Sequence, residues 1–250
     1  MEIKEIRRPV IAVCGKGGVG KTVFSALLAK VMLEIGIKPL LLVDADPVGG
    51  LTAAIGEKAV NTLAGVRDRF IEEVRIGGKA AAEDLANQLD AFIFNALVER
   101  EGFALLAMGH NTGKGCFCPA NKLLKNAIDV LIPGFAGVLI DAEAGIEQIN
   151  RDVTGRVTRV ITVVDGSKRS MDTLKMITER FCDLNVAAVV NRAPEGSNLN
   201  FPNGMRPLGY IPEDEELMRF DREGKSLWLL PENNKAAAAV RAISGSILKD

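Results

Sequence analysis

The chain predicts an α/β fold, a doubly wound and mostly parallel sheet flanked by helices. Short apolar or β-branched runs alternate with longer helical patterns, the order that builds βαβ units. Several of those runs are apolar throughout, as strands covered on both faces must be. A glycine-rich stretch, Gly15 to Thr22, joins the first run to the first helical pattern. The 250 residues show no repeat, no low-complexity tract and no linker, so residues 1–250 are read as one domain with a full core.

In chain order, Val10–Val13 is the first strand, and Val23 opens the apolar periodicity of a helix over Thr22–Ile35. Pro39–Val43 is the second strand and runs into Asp44-Ala45-Asp46-Pro47. Asn61–Val74 and Lys79–Glu99 read as helices, followed by a strand at Phe103–Leu106 and a helix at Ala120–Leu131. Val138–Ile140 and Val160–Val164 are strands, with a helix over Ser170–Leu184 before the strand Ala187–Val190. A loop rich in Gly, Pro and Asn, Pro194 to Pro207, reads as a mobile rim. Leu208–Ile211 is the last strand, and helices at Asp214–Arg222 and Asn234–Leu248 close the chain.

Composition narrows the function. The formal net charge is −1, so no global basic field draws the chain to nucleic acid or to an anionic membrane. Tryptophan and tyrosine occur once each, as Trp228 and Tyr210, too few for base-stacking platforms. Met1 to Pro9 is charged and lacks the apolar core of a secretory signal. No apolar run reaches the ~20 residues that span a bilayer. Ala236 to Leu248 has no basic face and reads as a packed final helix. The four cysteines read as thiols of a reducing cytoplasm.

Gly15-Lys16-Gly17-Gly18-Val19-Gly20-Lys21-Thr22 has the spacing G-x-x-x-x-G-K-[ST] between a strand and a helix, the context of a phosphate-binding loop. Its glycines let backbone N–H groups turn inward on an anion, and the helix adds its positive end. Lys21 is expected on the β- and γ-phosphates and the Thr22 hydroxyl on Mg²⁺. Asp44 and Asp46 follow a strand end, where carboxylates face the ligand crevice and hold Mg²⁺ through water or position an attacking water. Val138-Leu139-Ile140-Asp141 is an apolar strand ending in the aspartate that supports Mg²⁺. Gly145, four residues on, is placed to sense the γ-phosphate; Glu143 between them has no assigned role. Asn191-Arg192 stands at another strand end, where an asparagine is either a turn residue or a ligand contact.

The early lysine, Lys16, has no task on its own nucleotide. The form K-G-G-x-G-K-T resembles the deviant phosphate loop of the division-site, chromosome-partition and nitrogenase iron-protein ATPases. That resemblance implies a P-loop NTPase fold and an ATP-gated homodimer in which Lys16 reaches the phosphates of the opposite subunit, a cation supplied in trans. It further implies that Asp46 orients the nucleophilic water and that Asp44 is an outer-sphere Mg²⁺ partner. Gly15 to Val23 would hold the nucleotide, with Asn191 and Arg192 at the adenine edge and Ile211-Pro212-Glu213 bordering the base. No N-K-x-D guanine signature occurs, which favours ATP and ADP over guanine nucleotides.

Gly115-Cys116-Phe117-Cys118-Pro119 directs two sulfurs from a turn before a helix, and thiolates at a helix start are acidified and bind metal. Two sulfurs fall short of the tetrahedral set a soft metal prefers, but two chains about a two-fold axis supply four. His110 reads as a solvated loop residue or an auxiliary ligand; Cys14 and Cys182 read as core residues. G-C-F-C-P-A-N with D-x-E-A-G-I-E-Q-I-N-R resembles the CooC-type accessory ATPases that insert nickel into carbon monoxide dehydrogenase and acetyl-CoA synthase. The resemblance implies Ni²⁺ or Zn²⁺ on Cys116 and Cys118 at the dimer interface, and a client nickel enzyme of that type. Two other readings stay open from the sequence: a division-site or partition-like spatial regulator, and an iron–sulfur ATPase that donates electrons.

Overall fold

A computed structural model describes residues 8–110, 118–142, 156–193, 196–197 and 199–248, without the side chains of 79–87 and 118–122. The strands are β1 (Val10–Cys14), β2 (Leu40–Asp44), β3 (Leu97–Arg100), β4 (Phe103–Ala107), β5 (Gly137–Asp141), β6 (Arg159–Val164), β7 (Asn185–Asn191) and β8 (Gly209–Ile211). They form an eight-stranded sheet in the order β3-β4-β2-β5-β1-β6-β7-β8. Every neighbouring pair is parallel except β3 with β4.

Among the described residues the α-helices are α1 (Lys21–Glu34), α2 (Gly50–Ala54), α3 (Leu63–Asn87), α4 (Leu89–Asn95), α5 (Cys118–Leu131), α6 (Lys168–Arg180), α7 (Glu215–Arg222) and α8 (Lys235–Leu248). Alternate residues of β1 serve opposite faces of the sheet. Ile11 and Val13 pack with Phe24, Leu28 and Val240 of α1 and α8. Val10, Ala12 and Cys14 pack with Val66, Ile93, Leu124 and Ile177 of α3 to α6. Both faces are therefore covered, and this is why β1, β2 and β5 carry no polar side chain until their last residue. Chain order reverses around β1: β2 and β4 lie to one side, β6 and β7 to the other. The crevice beyond the C-terminal ends of β1, β5 and β2 is thus the place for a ligand in this topology.

The structure corrects the helical reading of Lys79–Glu99. The α3 helix runs on to Asn87, interrupted at Gly78 (φ 65°, ψ −146°), and α4 ends at Asn95. Leu97–Arg100 then pairs antiparallel with β4, Val98 opposite Leu105. Gly102 at φ +83° allows the tight reversal between the two strands, and Arg100 forks onto Glu57 with 2.9 and 2.7 Å hydrogen bonds. The expected helix over Ser170–Leu184 stops at Arg180. Phe181 takes the buried position there, leaving Cys182 exposed, so Cys182 is not a core residue. The short helix α2 carries too few residues for a periodic signal and was invisible to pattern.

Leu42 is fully buried in β2 against the α1 layer. Leu42→Ala is expected to lower unfolding free energy by about 2–5 kcal/mol, the cost of a core cavity, read from the midpoint of urea denaturation.

Candidate functional site: a nucleotide crevice

From Cys14 the chain turns through Gly15 to Gly20 and enters α1 at Lys21. Gly15 has φ +139°, and a Cβ there would collide with the Val163 carbonyl of β6. Gly20 has φ +91°, and its missing Cβ leaves room for the Asn191 amide. These two positions need glycine for the loop to lie this close to its neighbours. The end of β7 clasps the loop from the far side. Asn191 Nδ2 donates to the Val19 carbonyl at 2.8 Å, and Arg192, at φ 58°, donates from Nη2 to the Gly18 carbonyl at 2.8 Å. Lys21 is buried and its Nζ donates to the Lys16 carbonyl at 3.3 Å.

Beneath the loop lie two buried carboxylates. Asp44 and Asp141 end adjacent strands and are register partners. Both oxygens of Asp141 are taken by α1: Thr22 Oγ1 donates to Oδ2 at 2.7 Å and Ser25 Oγ to Oδ1 at 2.8 Å. Asp44 is held by α2 instead, its Oδ2 accepting from Thr52 N at 2.7 Å and Thr52 Oγ1 at 2.6 Å. Asp44 Oδ1 is buried without a hydrogen bond. Burial, only partly offset by the hydroxyls of Thr22 and Ser25, raises the Asp141 carboxyl to about 6. Burial also raises Asp44, against the hydrogen bonds of Thr52.

Two cavities meet at the loop. One of about 620 Å³ is bordered by Gly17, Gly18, Lys21, Thr22, Asp46 and Asp141. The other, of about 320 Å³, is bordered by Asn191, Ile211, Pro212, Glu213, Leu217 and Met218. Gly20, Val23, Arg192 and Asp221 border both. The first has the backbone amides and cation an anion requires; the second has apolar walls with a polar rim, the lining of a base site.

The comparisons with known proteins agree with this geometry. Residues 10–227 match the family model described as the CobQ/CobB/MinD/ParA nucleotide binding domain. The chain belongs to this family. It is 35% identical over 249 residues to an uncharacterised ATP-binding protein of Methanocaldococcus jannaschii, covering 96% of this chain and 98% of that one. It is 30% identical over 256 residues to the carbon monoxide dehydrogenase accessory protein CooC of Rhodospirillum rubrum, covering 93% and 95%. Among solved structures, MinD in the MinC:MinD cell division complex of Aquifex aeolicus superposes with TM-score 0.67 at 21% identity, covering 97% of this chain and 96% of that one. The fold is that of the MinD/ParA P-loop NTPases, and the chain is a P-loop ATPase of this nucleotide-hydrolysing family.

Within the family fold, Gly17, Gly18, Gly20, Lys21, Thr22, Val23, Asp46 and Asp141 converge on the larger cavity. Gly15, Lys16 and Val19 shape the loop from outside the lining of both cavities, and Asp44 lies below the floor. The donors around Thr22 are all oxygen, the set Mg²⁺ takes. Of the two buried carboxylates beside it, Asp141 feels the Lys21 ammonium and Asp44 keeps one oxygen without a hydrogen bond, a donor set that fits a divalent cation. Gly145, Glu143 and Cys116 lie outside the described residues, as does the side chain of Cys118, which begins α5. Among the described residues no group of three or more His, Cys, Asp and Glu is placed to hold a metal ion. His110 is exposed. Cys14 is buried, and burial lifts its thiol to about 11, so it stays protonated.

Sequence reasoning missed Ser25, Thr52 and Asp221. Ser25 had a signal, since it stands three residues after Thr22 on one helical face. Thr52 and Asp221 had none, because α2 and the end of α7 reach the site only in the folded chain.

The raised Asp141 carboxyl carries a pH signature. Between an ordinary 3.8 and about 6, the folded chain holds a proton that the unfolded chain has released. The contribution of this group to stability therefore falls as pH rises through that window. In protein free of nucleotide and magnesium, the Tm of Asp141→Asn should gain on wild type between pH 4 and pH 7 in differential scanning fluorimetry. A Tm difference independent of pH contradicts the burial account.

Proposed function

We propose that residues 1–250 form a single-domain cytoplasmic ATPase that dimerises on ATP and uses hydrolysis to deliver a metal ion, nickel in preference to zinc, to an enzyme of the carbon monoxide dehydrogenase type. The observation that carries this reading is the near full-length likeness to the Rhodospirillum rubrum accessory protein CooC, together with Cys116-Phe117-Cys118. The absence of a globally basic charge and of any described helix long and apolar enough to cross a membrane supports a protein client over nucleic acid or lipid.

In this reading the loop amides and Lys21 bind the β- and γ-phosphates of ATP, and Val23, Asn191, Arg192 and Ile211-Pro212-Glu213 take the base. Asn191 spends its Nδ2 on Val19, which leaves Oδ1 as an acceptor for the amino group of adenine. Thr22, with Asp141 and Asp44 behind it, would hold Mg²⁺, which when bound neutralises charge on the phosphate oxygens. Asp46 accepts the Val48 N–H at 2.8 Å through Oδ1, and its other oxygen is the one to orient the attacking water. Lys16 acts on the nucleotide of the opposite subunit, as an arginine finger does. Asp46 and Gly145 sit on the segments that follow β2 and β5, so loss of the γ-phosphate resets both. That reset changes how the paired Cys116 and Cys118 of two chains hold the metal cargo.

Two measurements test this. Purified protein, handled without oxygen, should carry about one Ni²⁺ or Zn²⁺ per two chains, the stoichiometry of four thiolates on one ion. Cys116→Ser/Cys118→Ser should remove the metal and leave ATP hydrolysis intact. An ATP-dependent dimer without metal replaces this reading with the spatial-regulator one, and iron with sulfide replaces it with electron transfer. Separately, Lys16→Gln should keep ADP affinity in calorimetry yet slow hydrolysis by about 10³-fold, the scale of a cation supplied in trans.

A further inference from the structure

Asp44 is fully buried, and its two short side-chain hydrogen bonds both come from Thr52, with the Asp46 backbone N–H also acting on the carboxyl. Thr52 presents both its backbone N–H and its hydroxyl to Asp44 Oδ2, at 2.7 and 2.6 Å. The hydroxyl has no local duty: α2 is entered through Gly49 at φ +78° with no side-chain cap, although a threonine in a helix ordinarily bonds to its own turn. Thr52 is 7% exposed and lies outside the lining of both cavities, so it does not meet the nucleotide. What it fixes is the placement of α2. The turn Asp46 to Gly50 leads into that helix, with the Gly49 N–H bonded to the Asp46 carbonyl at 3.0 Å. Gly50 faces Thr22 and Asp46: a Cβ there would lie in ordinary contact, 3.5 Å from the Thr22 hydroxyl and 3.8 Å from Asp46 Oδ2. The far end of α2 is tied down independently, since Ser226 Oγ donates to the Ile55 carbonyl at 2.8 Å.

We propose that Thr52 is a positioning residue for hydrolysis: by locking α2 to the Asp44 carboxylate it holds the Asp46 carboxylate at the phosphate loop. Thr52→Val keeps the shape and the backbone bond and deletes only the hydroxyl. Its kcat for ATP should fall about 10- to 100-fold, the worth of a hydrogen bond to a buried charge. ADP affinity by calorimetry should stay within about twofold of wild type, because no nucleotide contact is removed. Thr52→Ser should recover most of kcat. Amide exchange over 50–54 should quicken in Thr52→Val, a readout independent of turnover.

The deciding measurement is the double-mutant cycle with Asp44→Asn. If Thr52 acts through Asp44, adding Thr52→Val to Asp44→Asn slows hydrolysis by much less than it slows the wild type. An equal fold-loss in both backgrounds overturns the proposal, as does a full kcat in Thr52→Val or a matching loss of ADP affinity. Trp228 fluorescence and Tm report folding, and should Thr52→Val fail to fold, Thr52→Ala completes the same cycle.

Discussion

The site is organised around two carboxylates that the sheet forces below the surface. Parallel register sets Asp44 beside Asp141 at the ends of β2 and β5, where each is almost wholly shut off from water. Buried charges demand hydrogen-bonding partners, and here the partners come from two different helices. The α1 helix answers Asp141 through Thr22 and Ser25; α2 answers Asp44 through Thr52. The carboxylates thereby dictate where both helices begin, and those beginnings carry the phosphate loop and the Asp46 turn. The electrostatic cost is visible in the raised carboxyls of both residues. Perturbed carboxyls of this kind cluster at functional sites.

A second constraint acts from the opposite side of the crevice. Asn191 and Arg192 close on the loop carbonyls of Val19 and Gly18, so the strand that borders the base cavity also steadies the phosphate loop. Arg192 adopts a left-handed backbone to do so, a strained choice for a residue with a side chain. The end of α7 reaches both cavities through Asp221, and the turn after it reaches the larger through Lys225. The two cavities thus share walls at Gly20, Val23, Arg192 and Asp221.

Much of this was legible in the residues. The glycine loop and the aspartates at the strand ends are local patterns whose chemistry requires those residue types at that spacing, whereas the Ile211-Pro212-Glu213 border came only with the family resemblance. The strands could be read because continuous apolar runs have few alternatives in a sheet covered on both faces. Leu97–Arg100 resisted because its helical-looking neighbours offered α4 a continuation. The pairing of Val98 with Leu105 and the Glu57–Arg100 fork, both made with residues outside that window, decided for a strand. Cys182 was misread because helical periodicity was carried past Arg180, where Phe181 takes the core position.

Fold class, the glycine loop between β1 and α1 and the order of carboxylates along the chain could all be read from the residues. Each depends on contacts within a few residues or on strand periodicity. Folding decided which partner each buried carboxylate receives, that β7 clasps the loop, and that α2 both lines the larger cavity and bonds to Asp44. Those facts depend on hydrogen bonds such as Thr22 to Asp141 and Asn191 to Val19, whose members lie far apart in sequence. No local pattern encodes such bonds, because their geometry exists only after the strands have taken their register.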